Sequence, residues 1–223
     1  MMGKTHRAGA VLLAFPILLP VFNLTGTSPT DAAAVSLFLG GSLLTSRLPD
    51  IDIPNSGIAR KLWLVSWIFS VLHAFFQFLY VLTMRKFKWL KRITRASGHR
   101  GITHSLFFWI LFGLMLTGIY TLVETLLPLS EFLLQKLLIF FIGLEFGYLS
   151  HLLLDYFSGS LRLLEPFSNK KYGRRIIPTN STKEKFLRTL FLIADIFLLF
   201  KTYTFLFPSI LSYIESFSIQ LTP

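Results

Sequence analysis

Residues 32–57 read AAAVSLFLGGSLLTSRLPDIDIPNSG, and the change of character after Thr45 decides how the chain folds. Ala32 to Thr45 is apolar, small and rich in Ala and Gly, the composition of a helix that packs inside a membrane bundle rather than against lipid. It is short for a span. The chain then leaves through Arg47 and a Pro-Asp-Ile-Asp step. A turn beside a Pro needs a single Asp or Asn, so the second carboxylate is either solvent-facing or there to meet a cation. In an extended backbone Asp50 and Asp52, at i and i+2, line one face; the expectation is that one ligates while the other caps or braces the turn.

The whole chain agrees with a membrane setting. Of 223 residues, 53% are hydrophobic, 24 are Phe and only 15% are charged, against about 25% in soluble domains. Mean hydropathy is +0.62. A net charge of +11 would elsewhere suggest nucleic acid. In a chain this apolar, basic residues flanking spans set orientation and meet anionic lipid headgroups, so the expected partners are membrane lipids and no nucleic acid. With no cysteine, disulfides, thiolate metal sites and cysteine nucleophiles are excluded.

Runs near the roughly 20 residues that cross a bilayer recur along the chain. Ala8–Leu24 is expected to be an uncleaved signal-anchor helix, kinked near Pro16 and Pro20. Ile102–Val123, Phe132–Tyr156 and Phe186–Phe207 follow as spans, with the tail to Pro223 at the interface. No repeat or low-complexity linker divides the chain. The expectation is one all-α, polytopic domain over residues 1–223, of five to six membrane-embedded helices, with its motifs between residues 5 and 167 and a C-terminal helical region over 186–223.

All basic residues except Lys136 and Lys201 fall in or beside the N-terminus and the stretches 47–61, 85–100 and 157–185, while the intervening loops hold Asp31, Glu124 and Glu131. The positive-inside rule places the basic stretches in the cytoplasm. Leu62–Thr83 conflicts with this, because a crossing there would put 47–61 and 85–100 on opposite faces. The charge distribution favours a re-entrant or interfacial element; the 22-residue, predominantly apolar run without Asp, Glu, Lys, Arg, Gly or Pro favours a span.

On that topology His6, Asp50, Asp52, His99, His104, His151 and Asp155 gather at one cytoplasmic rim, around the ends of four apolar segments. Imidazoles and carboxylates together suit zinc, manganese or iron. His151 and Asp155, at i and i+4, face one spot on a helix. His99 and His104 are five apart and share no helix face, so one binds metal while the other shuttles protons. Each feature has a plainer reading: an interfacial hydrogen-bonding His, an Asp in a turn, a chance His-x-x-x-Asp pair. Their coincidence at four span ends is what separates them from that reading, since charged groups at an apolar boundary are costly unless paired or metal-bound. Glu145 and Asp195 are intramembrane acids, but Glu145 is two-thirds of a turn off the direction of His151. His73 and Gln77 read as polar glue between helices. No nucleophile elbow, phosphate-cradling Gly loop or dinucleotide fingerprint is present.

The blocks THRAGA, LPDIDIPNS, GHRGITHS and GYLSHLLLDYFS, with the trailing LRLLEPF, occur in this order over residues 5–167. In that combination the chain resembles the bacterial membrane-bound metal-dependent hydrolases of YdjM type. The resemblance implies an inner-membrane helical protein with a metal site at the cytoplasmic rim and hydrolytic activity. Its motif residues fall on His6, Asp50, Asp52, His99, Arg100, His104, His151 and Asp155. From this we expect His104, His151 and Asp155 to ligate one or two divalent ions, zinc first, with His6 and Asp50 completing the set. His99 and Asp52 are expected to transfer protons or brace the ligands. Arg100 is expected to bind a phosphoester bidentately, and the apolar rim favours a lipid-like substrate. The alternatives are a non-enzymatic membrane protein with a structural metal site, or a small ion or solute transporter.

Overall fold

The computed structural model describes residues 3–53, 56–83, 86–87, 91, 93–94, 101–159 and 161–220, with side chains as far as residue 204. Among these residues every extended element is a helix. The helices are α1 (Gly3–Thr25), α2 (Ala32–Thr45), α3 (Gly57–Lys61), α4 (Trp63–Leu82), α5 (Leu106–Leu126), α6 (Glu131–Ser158) and α7 (Thr182–Gln220), with 3-10 turns at Leu48–Asp52 and Ile102–His104. By length and composition α1, α4, α5 and α6 are each able to cross a bilayer.

The centre of the bundle is the pair α2 and α6, with α1 packed on both, α5 on α6, and α7 on α1. Small residues set this pairing. A Cβ at Gly41 would come within 2.7 Å of the Phe140 carbonyl oxygen, and one at Gly143 within 3.0 Å of the Phe38 Cα. Such contacts are with backbone, which cannot swing aside, so glycine at both positions lets α2 and α6 touch main chain to main chain. Ser42 Oγ adds a hydrogen bond to the Gly143 carbonyl at 3.1 Å. Around this seam Ala14, Leu18, Phe22, Val35, Phe38 and Ile139 form the apolar core.

Two features hold the end of the bundle farthest from the motifs. Asp31 caps α2, its Oδ1 accepting from the Ala34 amide at 2.9 Å, and its other oxygen is ion-paired with Lys136 at the start of α6. Gln135 Nε2 donates to the Thr25 carbonyl at the end of α1 (2.8 Å). With these ends clamped, the start of α1, the end of α2 and the end of α6 must meet at the opposite end.

Three features add to the sequence expectations. Helix α1 runs unbroken through Pro16 and Pro20. Helix α7 is continuous from Thr182 to Gln220, 39 residues or about 58 Å at 1.5 Å per residue, and so covers most of the expected C-terminal helical region. Helix α4 leans on α3 and the first 3-10 turn, with Phe69 near Phe108 of α5; of its twenty residues only Ser66 is buried.

Candidate metal centre

Each motif side chain reaches the same end of the bundle from a different element. His6 lies in the first turns of α1, and Asp50 and Asp52 in the turn that follows α2. His104 ends the turn before α5, and His151 and Asp155 occupy the last turns of α6. His6, His104 and His151 are fully buried, and Asp155 nearly so. The stretch Leu48–Asp52 is a 3-10 turn, not an extended strand. Pro49 sits at its start, where a fixed φ suits the first helical turn and the missing N–H costs nothing. The turn aims Asp50 at two histidines and Asp52 at one of them.

Three imidazole Nε2 atoms and two carboxylates converge. His6 Nε2 lies 3.2 Å from Asp155 Oδ1. His104 Nε2 lies 3.6 Å from Asp50 Oδ1 and 3.8 Å from Asp155 Oδ2. His151 Nε2 lies 3.7 Å from Asp50 Oδ1 and 3.8 Å from Asp155 Oδ2. Four of these separations are too long for hydrogen bonds. They match donors sharing one ion, since two ligands at about 2.1 Å in a tetrahedron stand roughly 3.4 Å apart. His151 Nε2 is buried and makes no hydrogen bond. The donors therefore fit a divalent ion. They form two trios, His6–His151–Asp155 and Asp50–His104–His151, with His151 common to both.

The far sides of the His151 and His104 rings are held so that their Nε2 lone pairs face the cluster. His151 Nδ1 is 2.8 Å from the Ser46 carbonyl. A carbonyl only accepts, so this partner assigns the proton to Nδ1. For His104 the partner is Thr103, whose hydroxyl donates to Asp52 Oδ2 at 3.0 Å and lies 3.2 Å from His104 Nδ1. With its one proton committed to Asp52, the Thr103 oxygen is left to accept from Nδ1–H. The Thr103 carbonyl in turn accepts from the Tyr148 hydroxyl on α6. Ser158 Oγ donates to Asp155 Oδ1 at 3.1 Å, and the His6 ring stacks on His151 at 3.8 Å between centroids. Burial works to raise the Asp50 carboxyl, but the neighbouring imidazoles of His104, His151 and His6 outweigh that and hold it at about 2. Asp50 is thus an anion at neutral pH. At 16% side-chain exposure against 0% for both neighbouring histidines, it is also the donor nearest the opening.

The structure brings together His6, Asp50, His104, His151 and Asp155, with Asp52 behind His104. His99 and Arg100 lie outside the described residues. Glu145 faces α5, where a Cβ at Gly113 would come within 3.0 Å of its Oε1, and lines a cavity of about 210 Å³ between α5 and α6 with Leu116 and Tyr120. Asp195 is on α7 and His73 on α4. Sequence reasoning did not single out Ser46, Thr103, Tyr148 or Ser158. Thr103 sits inside the GHRGITHS block beside a candidate ligand, and Ser158 is one turn beyond Asp155, signals that could have marked both. Nothing in the sequence marks the Ser46 carbonyl.

Residues 1–219 match the model of a family described as YdjM inner membrane protein. No curated protein and no solved structure matches the chain.

Proposed function

The chain belongs to the YdjM inner membrane protein family, and on that footing we propose that this multi-pass membrane protein is a metal-dependent hydrolase acting at the cytoplasmic face. The observation that carries this is the set of 3.6–3.8 Å separations between imidazole Nε2 and carboxylate oxygens in a buried cluster. Nε2 and carboxylate oxygens at these separations are spaced as ligands of a shared cation are. In this reading His104, His151 and Asp155 hold the ion, with Asp50 and His6 completing one or two sites, and zinc is the metal that donor set suits best.

A bound divalent ion there supplies Lewis acidity and a water acidic enough to be ionised near neutral pH. The chain's own part is positional. Ser46, Thr103 and Asp52 lock two imidazole tautomers, Ser158 orients Asp155, and Asp50 presents its charge at the mouth where a substrate arrives. A phosphoester, attached to a lipid-like body that shares the apolar surroundings, is the substrate class we propose. Proton transfer by His99 and anion binding by Arg100 rest on the sequence motif alone.

The same reading orients the chain with its basic stretches in the cytoplasm. It also bears on α4. The two 3-10 turns touch each other, and α4 starts against the first of them, so residues 62 and 101 lie at one end of the bundle. A crossing by α4 would demand a return crossing before Gly101, through a stretch carrying Arg85, Lys86, Lys88, Lys91, Arg92, Arg95 and Arg100. Charge at that density is prohibitive in hydrocarbon, which supports α4 as a re-entrant or interfacial helix.

The test is elemental analysis of protein purified in detergent without chelators, wild type against His104→Ala, His151→Ala and Asp155→Ala. Stoichiometric divalent metal in the wild type and its loss in the variants is the expected result. A wild type that carries none and cannot be loaded removes the basis of the reading.

A further inference from the structure

Whereas Arg7 and Arg60 are exposed, Arg47 is half-buried. It follows Ser46, whose carbonyl holds His151, and it precedes the turn that carries Asp50. An arginine at a span end ordinarily lays its stem along apolar surface and extends its head toward lipid phosphates. Arg47 instead lies between two stretches of backbone. A Cβ at Gly3 would fall 2.5 Å from its Nε and 2.9 Å from its Cζ; one at Gly57 would fall 3.0 Å from its Nη1 and 3.1 Å from its Cζ. The guanidinium occupies a slot that is open because neither residue has a side chain. Its Nε is buried and makes no hydrogen bond.

The charges around it sharpen the point. Burial and the cation of Arg7 on α1 work against the Arg47 charge, Asp50 works for it, and Arg60 on α3 works against it again. The exposed guanidiniums of Arg7 and Arg60 thus add positive potential around Arg47, and the acid that offsets it is Asp50, the carboxylate nearest the opening of the candidate metal centre. Positive potential focused at one place favours an anion there. A guanidinium with its plane fixed and a donor unspent is suited to a tetrahedral oxyanion, which it can hold through parallel N–H···O bonds.

We propose that Arg47, flanked by Arg7 and Arg60, forms a phosphate-binding site beside Asp50. Its role in seating a phosphoester for hydrolysis rests on the metal-dependent reading above, whereas phosphate binding itself does not. The phosphate belongs either to a lipid headgroup or to a soluble molecule.

The experiment uses the full chain in phosphatidylcholine nanodiscs. One arm titrates inorganic phosphate by calorimetry; the other follows uptake of phosphatidic acid by native mass spectrometry. Wild type, Arg47→Lys and Arg174→Gln are compared, Arg174 being an exposed loop arginine outside the cluster. Saturable binding in either arm is expected, weakened about tenfold or more by Arg47→Lys and unchanged by Arg174→Gln. Binding of inorganic phosphate assigns a soluble source, and binding of phosphatidic acid alone assigns a headgroup. Should Arg47→Lys not purify as a single species, Gly57→Ala, which displaces the guanidinium without removing it, carries the same expectation. Binding in neither arm overturns the proposal, as does equal weakening by Arg174→Gln. Phosphate binding that disappears on chelation yet is indifferent to Arg47→Lys also overturns it, while leaving the metal reading intact. Arg47-dependent binding by a protein that holds no metal upholds the phosphate site and removes the hydrolase reading instead.

Discussion

Thr103→Val removes one oxygen from the candidate centre and almost nothing else. The hydroxyl donates to Asp52 Oδ2 at 3.0 Å and stands 3.2 Å from His104 Nδ1. Valine keeps the branched shape in a site only 2% exposed, and the Tyr148 hydrogen bond survives because it ends on the Thr103 carbonyl. What is lost is the relay that fixes the His104 proton on Nδ1. His104 is then able to place its proton on Nε2, the atom facing Asp50 and Asp155, where it cannot ligate. Partners of this outer kind are typically worth ten- to a hundredfold in metal affinity, or about 1.4–2.7 kcal/mol at 1.36 kcal/mol per tenfold. The assay is competition with a chromogenic chelator on detergent-purified protein, with Thr103→Ser as the control that restores the hydroxyl. We expect the Val variant to bind metal ten- to a hundredfold more weakly and the Ser variant to approach wild type. Equal affinity in Val and wild type, or a Ser variant as weak as Val, refutes the relay.

Three further expectations follow from other parts of the molecule. Ser158→Ala removes the hydroxyl that donates to Asp155 Oδ1, and by the same reasoning metal affinity falls about tenfold; an unchanged competition curve places Ser158 outside the centre's support. Gly143→Val forces a side chain against the Phe38 backbone, and overpacking of about 1–3 kcal/mol or more should lower the melting temperature in detergent, so a wild-type melt would show that α2 and α6 do not touch there. The cysteine-free chain allows topology to be read with single cysteines and an impermeant thiol reagent on whole cells: Ser130→Cys should label, while Lys86→Cys and Lys170→Cys should both label only after lysis. Opposite behaviour of 86 and 170 would mean that α4 crosses and the basic stretches are divided between two faces.

Much of the architecture was legible because membrane helices announce themselves through length and hydropathy. Ala32–Thr45 reads as a small-residue helix, and α2 has those bounds. The run Phe132–Tyr156 lies within α6, Glu131–Ser158. The pairing of His151 with Asp155 follows from 3.6 residues per turn alone. A helix period says which residues share a face, but not which other helix that face meets. The backbone at Asp50 and Asp52 stayed open for a related reason: Pro49 suits the start of a turn as well as a strand, and the surrounding contacts chose the turn. Only the folded bundle could bring the Ser46 carbonyl to His151, 105 positions later in the chain, or stack His6 on that same ring. The Arg47 slot is the extreme case, since it consists of what Gly3 and Gly57 lack. Composition and spacing are local properties and survive in a string of letters, whereas a tautomer held by a distant carbonyl, or a cavity shaped by absent side chains, exists only once close packing has brought remote backbones together.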